Sequence, residues 1–342
     1  MIRMVVHEVN LLLRHTFTTA HGSATAQRSV IVELTDGEHS GFGEAVCIPH
    51  EGWTAPGIRA ALEAARTTVE TTDLQDPAEY WKACSAILAS SRVALSAVDQ
   101  AAHDLRGKRA GAPVWRLWDL PWAPLPVSDY TIGIDETDRM VAKLLEFADW
   151  PVFKIKLGTN RDLEIVRTLR QYTDASFRVD ANCAWTFEES LARTHGLAGL
   201  GVEFVEQPLP RLAYGDQIRL RKESALPLMA DESCQDEDDI DRCAEGFDAV
   251  NIKLAKCGGL TPARRMIERA RSNGLRVMVG CMTETTVGIS AIAQLLTLVD
   301  YADIDGAVLV ARDVASGVRL DRGRPILPTV PGTGVTWLGV PE

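Results

Sequence analysis

The sequence predicts an α/β fold, a barrel of parallel strands alternating with helices, preceded by a smaller α+β cap. Three observations carry this reading. From about residue 125, short apolar runs at 125–132, 151–157, 176–181, 202–206, 227–231, 248–253, 276–281 and 302–309 alternate with amphipathic stretches of helical period. Strands separated by helices imply right-handed crossovers and a parallel sheet, and eight evenly spaced units imply closure. The chain has 342 residues, more than the roughly 250 of such a barrel, so a second unit is required. Finally, Asp180, Glu206, Asp231 and Lys253 follow one another at intervals of 26, 25 and 22 residues, each ending an apolar run, which is where a barrel of this kind keeps its working groups.

Taken in order, the first third reads as strands at about 2–13 and 29–36, a Gly41-Phe42-Gly43-Glu44-Ala45 segment, and then helices. In the last of these, about 92–108, Ala94, Ala97, Val98, Ala101, Ala102 and Leu105 recur at three- and four-residue spacing and mark one buried face. We assign 1–115 to the cap and 116–309 to the barrel. The Gly- and Pro-rich segment 310–342 is expected to pack back on the cap.

Hydrophobic residues at 46% and charged residues at 24% describe an ordinary globular chain. A net charge of -11 without a Lys/Arg cluster argues against a nucleic-acid partner, because phosphate binding needs a basic surface. Small-molecule chemistry is the expectation. Seven cysteines, odd in number and never spaced C-x-x-C, indicate neither a zinc site nor a disulfide framework and suit a reducing cytosol. The amino-terminal residues alternate like a strand rather than forming the apolar core of a signal peptide, and no run of 18 uncharged apolar residues occurs.

Lys154 and Lys156 stand at i and i+2 of one strand, so both point into the barrel mouth. A neighbouring ammonium and a nearby divalent cation would each disfavour the charged form, priming one of the pair to accept a proton. Asp180, Glu206 and Asp231 end three consecutive strands. Crowded in one mouth they would repel one another unless a cation sat between them, and all-oxygen ligation selects a hard ion, Mg²⁺. Helix N-capping explains one such acid, but not three in succession. Lys253 ends the sixth strand, four steps around from Lys156, so the two amines face each other and could exchange a proton across a substrate. In the eighth strand, Asp303 and Asp305 again stand at i and i+2; they suit a cationic group such as a substrate ammonium, with solvated strand-end acids as the competing reading.

With these residues in hand, the chain resembles the enolase superfamily, muconate-lactonising subgroup, and within it the dipeptide epimerases. The resemblance runs through Lys154-Ile155-Lys156, Asp180-Ala181-Asn182, Glu206-Gln207-Pro208, Ala230-Asp231-Glu232-Ser233, Asn251-Ile252-Lys253, Lys256-Cys257-Gly258-Gly259 and Asp303-Ile304-Asp305. It implies a modified (β/α)7β barrel of TIM type and a 1,1-proton transfer at the α-carbon of a dipeptide's carboxy-terminal residue, through an enediolate. Mg²⁺ on Asp180, Glu206 and Asp231 would bind the substrate carboxylate, with Lys154 adding positive charge. Lys156 and Lys253 would act from opposite faces. Thr131, Cys281 and Thr283 would line the substrate site, and Asp303 and Asp305 would receive the free ammonium. A homo-oligomer in the cytoplasm is implied as well.

One departure concerns specificity. Members acting on L-Ala-D/L-Glu carry an arginine in the mobile cap loop, where this chain reads Ala20-His21-Gly22-Ser23-Ala24-Thr25. The missing guanidinium implies a preference for a non-acidic carboxy-terminal residue, and Trp53 could add apolar contact. An N-acylamino acid racemase or o-succinylbenzoate synthase-like enzyme of the same superfamily is the nearest alternative; a non-catalytic barrel is the alternative of another class.

Overall fold

The computed structural model describes residues 2–20, 22–120 and 123–340. In the first third, β1 (Arg3–Thr19), β2 (Gly22–Thr35) and β3 (Ser40–Val46) form an antiparallel sheet in the order β1-β2-β3. The β1–β2 hairpin is much longer than the apolar alternation suggests. In its outer part, the described residues from Arg14 to Ala20 and from Gly22 to Thr25 are largely polar and mostly exposed, so no buried face imposes a period there. Helices α1 (Ala55–Thr71), α2 (Pro77–Leu88) and α3 (Arg92–Arg109) cover the sheet, and their apolar stripes join Val30, Val32 and Leu34 in one core. The two glycines of Gly41-Phe42-Gly43 are there for packing. A Cβ at Gly43 would lie 2.0 Å from the carbonyl oxygen of Ala97 on α3, and one at Gly41 2.2 Å from that of Ala101, so only glycine lets strand and helix backbones approach this closely.

After the short helix α4 (Val114–Leu117), strands and helices alternate: β4 (Tyr130–Ile132), α5 (Thr137–Glu146), β5 (Val152–Lys156), α6 (Asp162–Arg170), β6 (Ser176–Asp180), α7 (Phe187–Ala198), β7 (Val202–Glu206), α8 (Tyr214–Glu223), β8 (Leu228–Ala230), α9 (Ile240–Gly246), β9 (Ala249–Lys253), α10 (Leu254–Cys257), α11 (Leu260–Ser272), β10 (Arg276–Gly280), α12 (Thr286–Ile292), β11 (Tyr301–Asp303) and α13 (Gly306–Leu309). Strands β4 to β11 make one parallel sheet in chain order. A bridge from Ser128 to Ala302 draws its two edges together. Ser128 Oγ accepts from the Ile304 amide at 2.9 Å, and Asp305 Oδ2 from the Thr131 amide at 2.6 Å.

Two runs end differently from their sequence reading. The first is a strand only over its last three residues. The last turns from β11 into α13, because Asp305 precedes Gly306 as an N-cap and the apolar run Ala307–Leu309 packs as a helical turn on the barrel core. Asp303 therefore ends the eighth strand rather than beginning it, and Asp305 lies just beyond it.

Along each strand, alternate residues face the barrel interior. On β9, Val250 and Ile252 join the layer shared with the helices. Ala249, with Phe204 and Met229, fills the interior floor, and the residues two positions on, Asn251, Glu206 and Asp231, rise above it. Val310, Val314, Ala315 and Val335 pack on Val9, Leu11, Ile31 and Phe42 of the cap sheet. Among the described residues no helix is long and apolar enough to cross a membrane.

Candidate active site

Period-two alternation and in-register pairing stack the acids and lysines at one end of the barrel. Lys156 pairs in register with Asp180, and Asp180 with Glu206. One oxygen each from Asp180, Glu206 and Asp231 lies within 4.8 Å of the other two, and all three residues are buried. Three carboxylates converging without a nitrogen or sulfur donor fit a hard divalent cation. Glu206 Oε2 accepts no hydrogen bond of normal geometry, although Lys154 Nζ stands 2.7 Å away.

Lysines on several strands balance the acids. Lys154 Nζ lies 2.8 Å from Asp303 Oδ2, 2.7 Å from Glu206 Oε2 and 3.2 Å from Asp180 Oδ2. Lys156 Nζ donates to Asp180 Oδ2 at 2.6 Å, and Lys253 Nζ to Asp231 Oδ2 at 2.9 Å. Burial penalises the Lys154 and Lys253 ammonium groups, yet the facing carboxylates outweigh that cost. Asp303, Glu206 and Asp180 raise Lys154, and Asp231 raises Lys253. Of the Lys154/Lys156 pair, Lys154 is held as the ammonium by the acids around it. The same lysines hold Asp180 and Asp231 below the usual carboxylate range against the opposing effect of burial, while at Glu206 burial prevails and the shift is upward.

A cavity of about 850 Å³ opens above this layer between barrel and cap. Of the predicted site residues, Thr131, Lys156, Asp231, Lys253, Cys281, Thr283, Asp303 and Asp305 line it. Asp180, Glu206 and Lys154 form the layer at its floor. One ligand-type atom each from Cys281, Asp303 and Asp305 also comes within 4.8 Å of the others, making an acidic wall of the cavity. Gly22, Ser23 and Ala24 from the hairpin tip reach the cavity, as does Trp53. His21 lies outside the described residues.

Several neighbours had no role assigned from sequence. Lys256 Nζ donates to Asp231 Oδ1 at 2.6 Å; its motif was visible, but a lysine one helical turn past the strand end gives no sign that it folds back. Asn251 Nδ2 donates to Glu206 Oε1 at 2.9 Å. A Cβ at Gly280 would lie 2.4 Å from Asn251 Oδ1, so that glycine leaves room for the carboxamide. Gln207, in the left-handed region at φ 36°, turns its Oε1 to accept from the amides of Asp231 and Ser233, fixing the strand end that presents Asp231. Arg28, exposed on β2, also lines the cavity.

A two-layer architecture of this kind, with carboxylates and lysines ending the strands of a capped barrel, defines an enzyme that handles an anionic small molecule. Comparison with known proteins agrees with that class. Residues 136–339 match the family model described as enolase C-terminal domain-like, and residues 1–118 match the mandelate racemase / muconate lactonizing enzyme N-terminal domain. The chain is 46% identical to an L-Ala-D/L-amino acid epimerase of Flavobacterium johnsoniae, over 98% of this chain and 100% of that protein. It is 34% identical to a hydrophobic dipeptide epimerase of Roseobacter litoralis, over 97% and 98%. A dipeptide epimerase from Enterococcus faecalis solved with Mg and L-Leu-L-Tyr superposes with a TM-score of 0.93 at 30% identity, covering 98% of this chain and 99% of that one. The protein belongs to the mandelate racemase / muconate lactonizing enzyme family of the enolase superfamily.

Proposed function

We propose that this protein is a dipeptide epimerase, inverting the α-carbon of a dipeptide's carboxy-terminal residue by 1,1-proton transfer. The observation that carries the reading is the placement of Lys156 and Lys253. They end β5 and β9, four strands apart in an eight-strand sheet, and line one cavity with the carboxylate cluster on its floor. A substrate between them meets one amine on each face. One lysine takes the α-proton as the free amine, and the other, as the ammonium, returns a proton to the opposite face.

Asp180, Glu206 and Asp231 would hold Mg²⁺, which supplies positive charge against the substrate carboxylate as negative charge develops on it. Lys154, tied to two of those acids, adds to the positive field beneath the carboxylate. Asp303 and Asp305 on the cavity wall offer charge-assisted hydrogen bonds to a free ammonium, and Thr131, Cys281 and Thr283 shape the adjoining surface. Lys256 and Asn251 orient Asp231 and Glu206.

The hairpin tip that reaches the cavity presents Gly22, Ser23 and Ala24, none of them basic, and the hairpin's guanidinium at the cavity is Arg28, further along β2; the composition of the tip supports a preference for a non-acidic carboxy-terminal residue. We keep 1–115, with part of the tail 310–342, as the cap and 116–309 as the barrel: Val310, Val314, Ala315 and Val335 pack on the cap sheet, while Val318, Leu320 and Leu327 pack on the barrel core. We place the enzyme in the cytoplasm as a homo-oligomer. The test is mass spectrometry of pooled L,L-dipeptides incubated in deuterated water with Mg²⁺. Uptake of one deuteron at a single α-carbon is expected, and its absence across a broad panel would refute the assignment.

A further inference from the structure

Outside the reaction layer, two more carboxyl groups are buried at the junction of cap and barrel. Glu44, on β3, reaches across to the loop after β10. Its carboxylate accepts from the Thr285 amide at 2.9 Å, from the Thr285 hydroxyl and from the Gly288 amide at 3.2 Å. Glu284, in that same loop, accepts from the Met282 amide at 2.8 Å through Oε1. Its other oxygen and Glu44 Oε2 crowd the same backbone: a Cβ at Gly288 would lie 2.1 Å from Glu284 Oε2 and 3.2 Å from Glu44 Oε2. A side chain at 288 is therefore excluded, and the two carboxyl groups are neighbours.

No lysine, arginine or histidine among the described residues makes an ion pair with either acid. The charges that face them offer little relief. Asp313, which accepts from Thr286, adds repulsion at Glu44, and Lys253 acts on Glu284 only from a distance. Burial raises both acids above the ordinary range, and the charge of Glu44 raises Glu284 further. Two buried anions side by side without a cation are costly; one proton between them removes the repulsion. The donors around Glu44 favour its ionised form, so the proton resides on Glu284.

The location gives this pair a task. Glu284 holds the Met282 amide, and Cys281, Met282 and Thr283 line the substrate cavity. Glu44 ties the same loop to the cap sheet. We propose that Glu44 and Glu284 share a single proton and act together as positioning residues, locking the 281–283 wall of the cavity to the cap in the geometry that accepts substrate. This rests on the dipeptide epimerase reading for its substrate, but not for the proton itself.

The experiment compares wild type, Glu284→Gln and Glu284→Ala in the Mg²⁺-loaded full-length protein, with KM and kcat measured separately on L-Ala-L-Val from pH 6 to 10. Once the wild type releases the shared proton, its KM should climb by about tenfold per unit of pH while kcat follows the lysines alone. Glu284→Gln keeps the acceptor for Met282 and replaces the proton with an amide donor, so its KM should stay flat over that range. Glu284→Ala, which keeps neither, should show a raised KM at every pH. Equal pH dependence of KM in wild type and Glu284→Gln would overturn the proposal. Infrared spectroscopy of the same proteins supplies a readout free of activity: a buried carboxylic acid band in the wild type minus Glu284→Gln difference spectrum at neutral pH, in which the other buried carboxyl groups cancel. If no dipeptide turns over but the band behaves as described, the substrate reading fails and the shared proton stands. If the band is absent, the shared proton fails whatever the substrate.

Discussion

Lys154 Nζ donates to Asp303 Oδ2 at 2.8 Å and so joins the carboxylate cluster on β6–β8 to the acidic wall at the end of β11. The ammonium is fully enclosed, with side-chain exposure of 2%, and it is shared among three acids. Lys154→Met would leave Asp180, Glu206 and Asp303 crowded without their common cation, at a cost of roughly 3–5 kcal/mol of stability. A divalent cation would take over part of that role. The expected result is a marked loss of Tm in the variant without Mg²⁺ and a larger Mg²⁺-induced rise than in wild type, read by calorimetry.

Placing Lys156 and Lys253 on opposite faces makes a stereochemical prediction. Either Lys156→Ala or Lys253→Ala should lower epimerisation by about 10³-fold, within the range for losing a general acid or base. Each variant should still exchange the α-hydrogen of one epimer with deuterated solvent, and the two variants should retain opposite epimers. Proton NMR of the α-position decides this, and exchange of the same epimer in both would place the lysines on one side.

Asp305 lines the cavity and accepts from the Thr131 amide at 2.6 Å through Oδ2, and its carboxylate faces the space where a substrate cation would sit. Asp305→Asn should reduce kcat/KM on dipeptides by about 100-fold, the scale for truncating one partner of a buried charge pair. Substrates with an N-succinyl group carry no ammonium. If their turnover fell as much as that of dipeptides, the acid would not be reading the amino group.

For the side chain of the carboxy-terminal residue, L-Ala-L-Val should be preferred to L-Ala-L-Glu by about tenfold in kcat/KM, because the hairpin tip lacks a bidentate partner for a carboxylate. A polarimetric comparison of the two dipeptides is sufficient.

A pH effect on stability is expected where α3 meets α11. Asp99 is enclosed and accepts from the Thr261 amide and hydroxyl at 2.9 and 2.7 Å, and burial pushes it up to about 7. His103 lies beside it, and burial pushes it down to about 3. A carboxyl raised on folding favours the native state at low pH, and its contribution is lost as pH rises from about 4 to about 7. A histidine lowered on folding works in the opposite sense, costing stability as pH falls through about 6.5. In wild type the two partly cancel. Urea denaturation of Asp99→Asn between pH 4 and 7 should therefore show stability rising more steeply with pH than in wild type.

Much of this protein could be read without its structure. Period-two and period-3.6 patterns and the even spacing of strands come from local stereochemistry, which is why the barrel, the cap helix α3 and the strand-end acids and lysines are all visible in the chain. Asp180 and Glu206 close their strands and Asp231 directly follows β8, so knowing the strands was enough to bring them together. Tertiary structure alone decided what depends on side chains crossing between distant elements. Lys256 folding back to Asp231, Asn251 using the space left by Gly280, and Glu44 meeting Glu284 over Gly288 have no periodic trace, because each is set by close packing between segments far apart in the chain. The extent of the polar hairpin also needed the fold, since its pairing is backbone to backbone and no buried face writes it into the side chains.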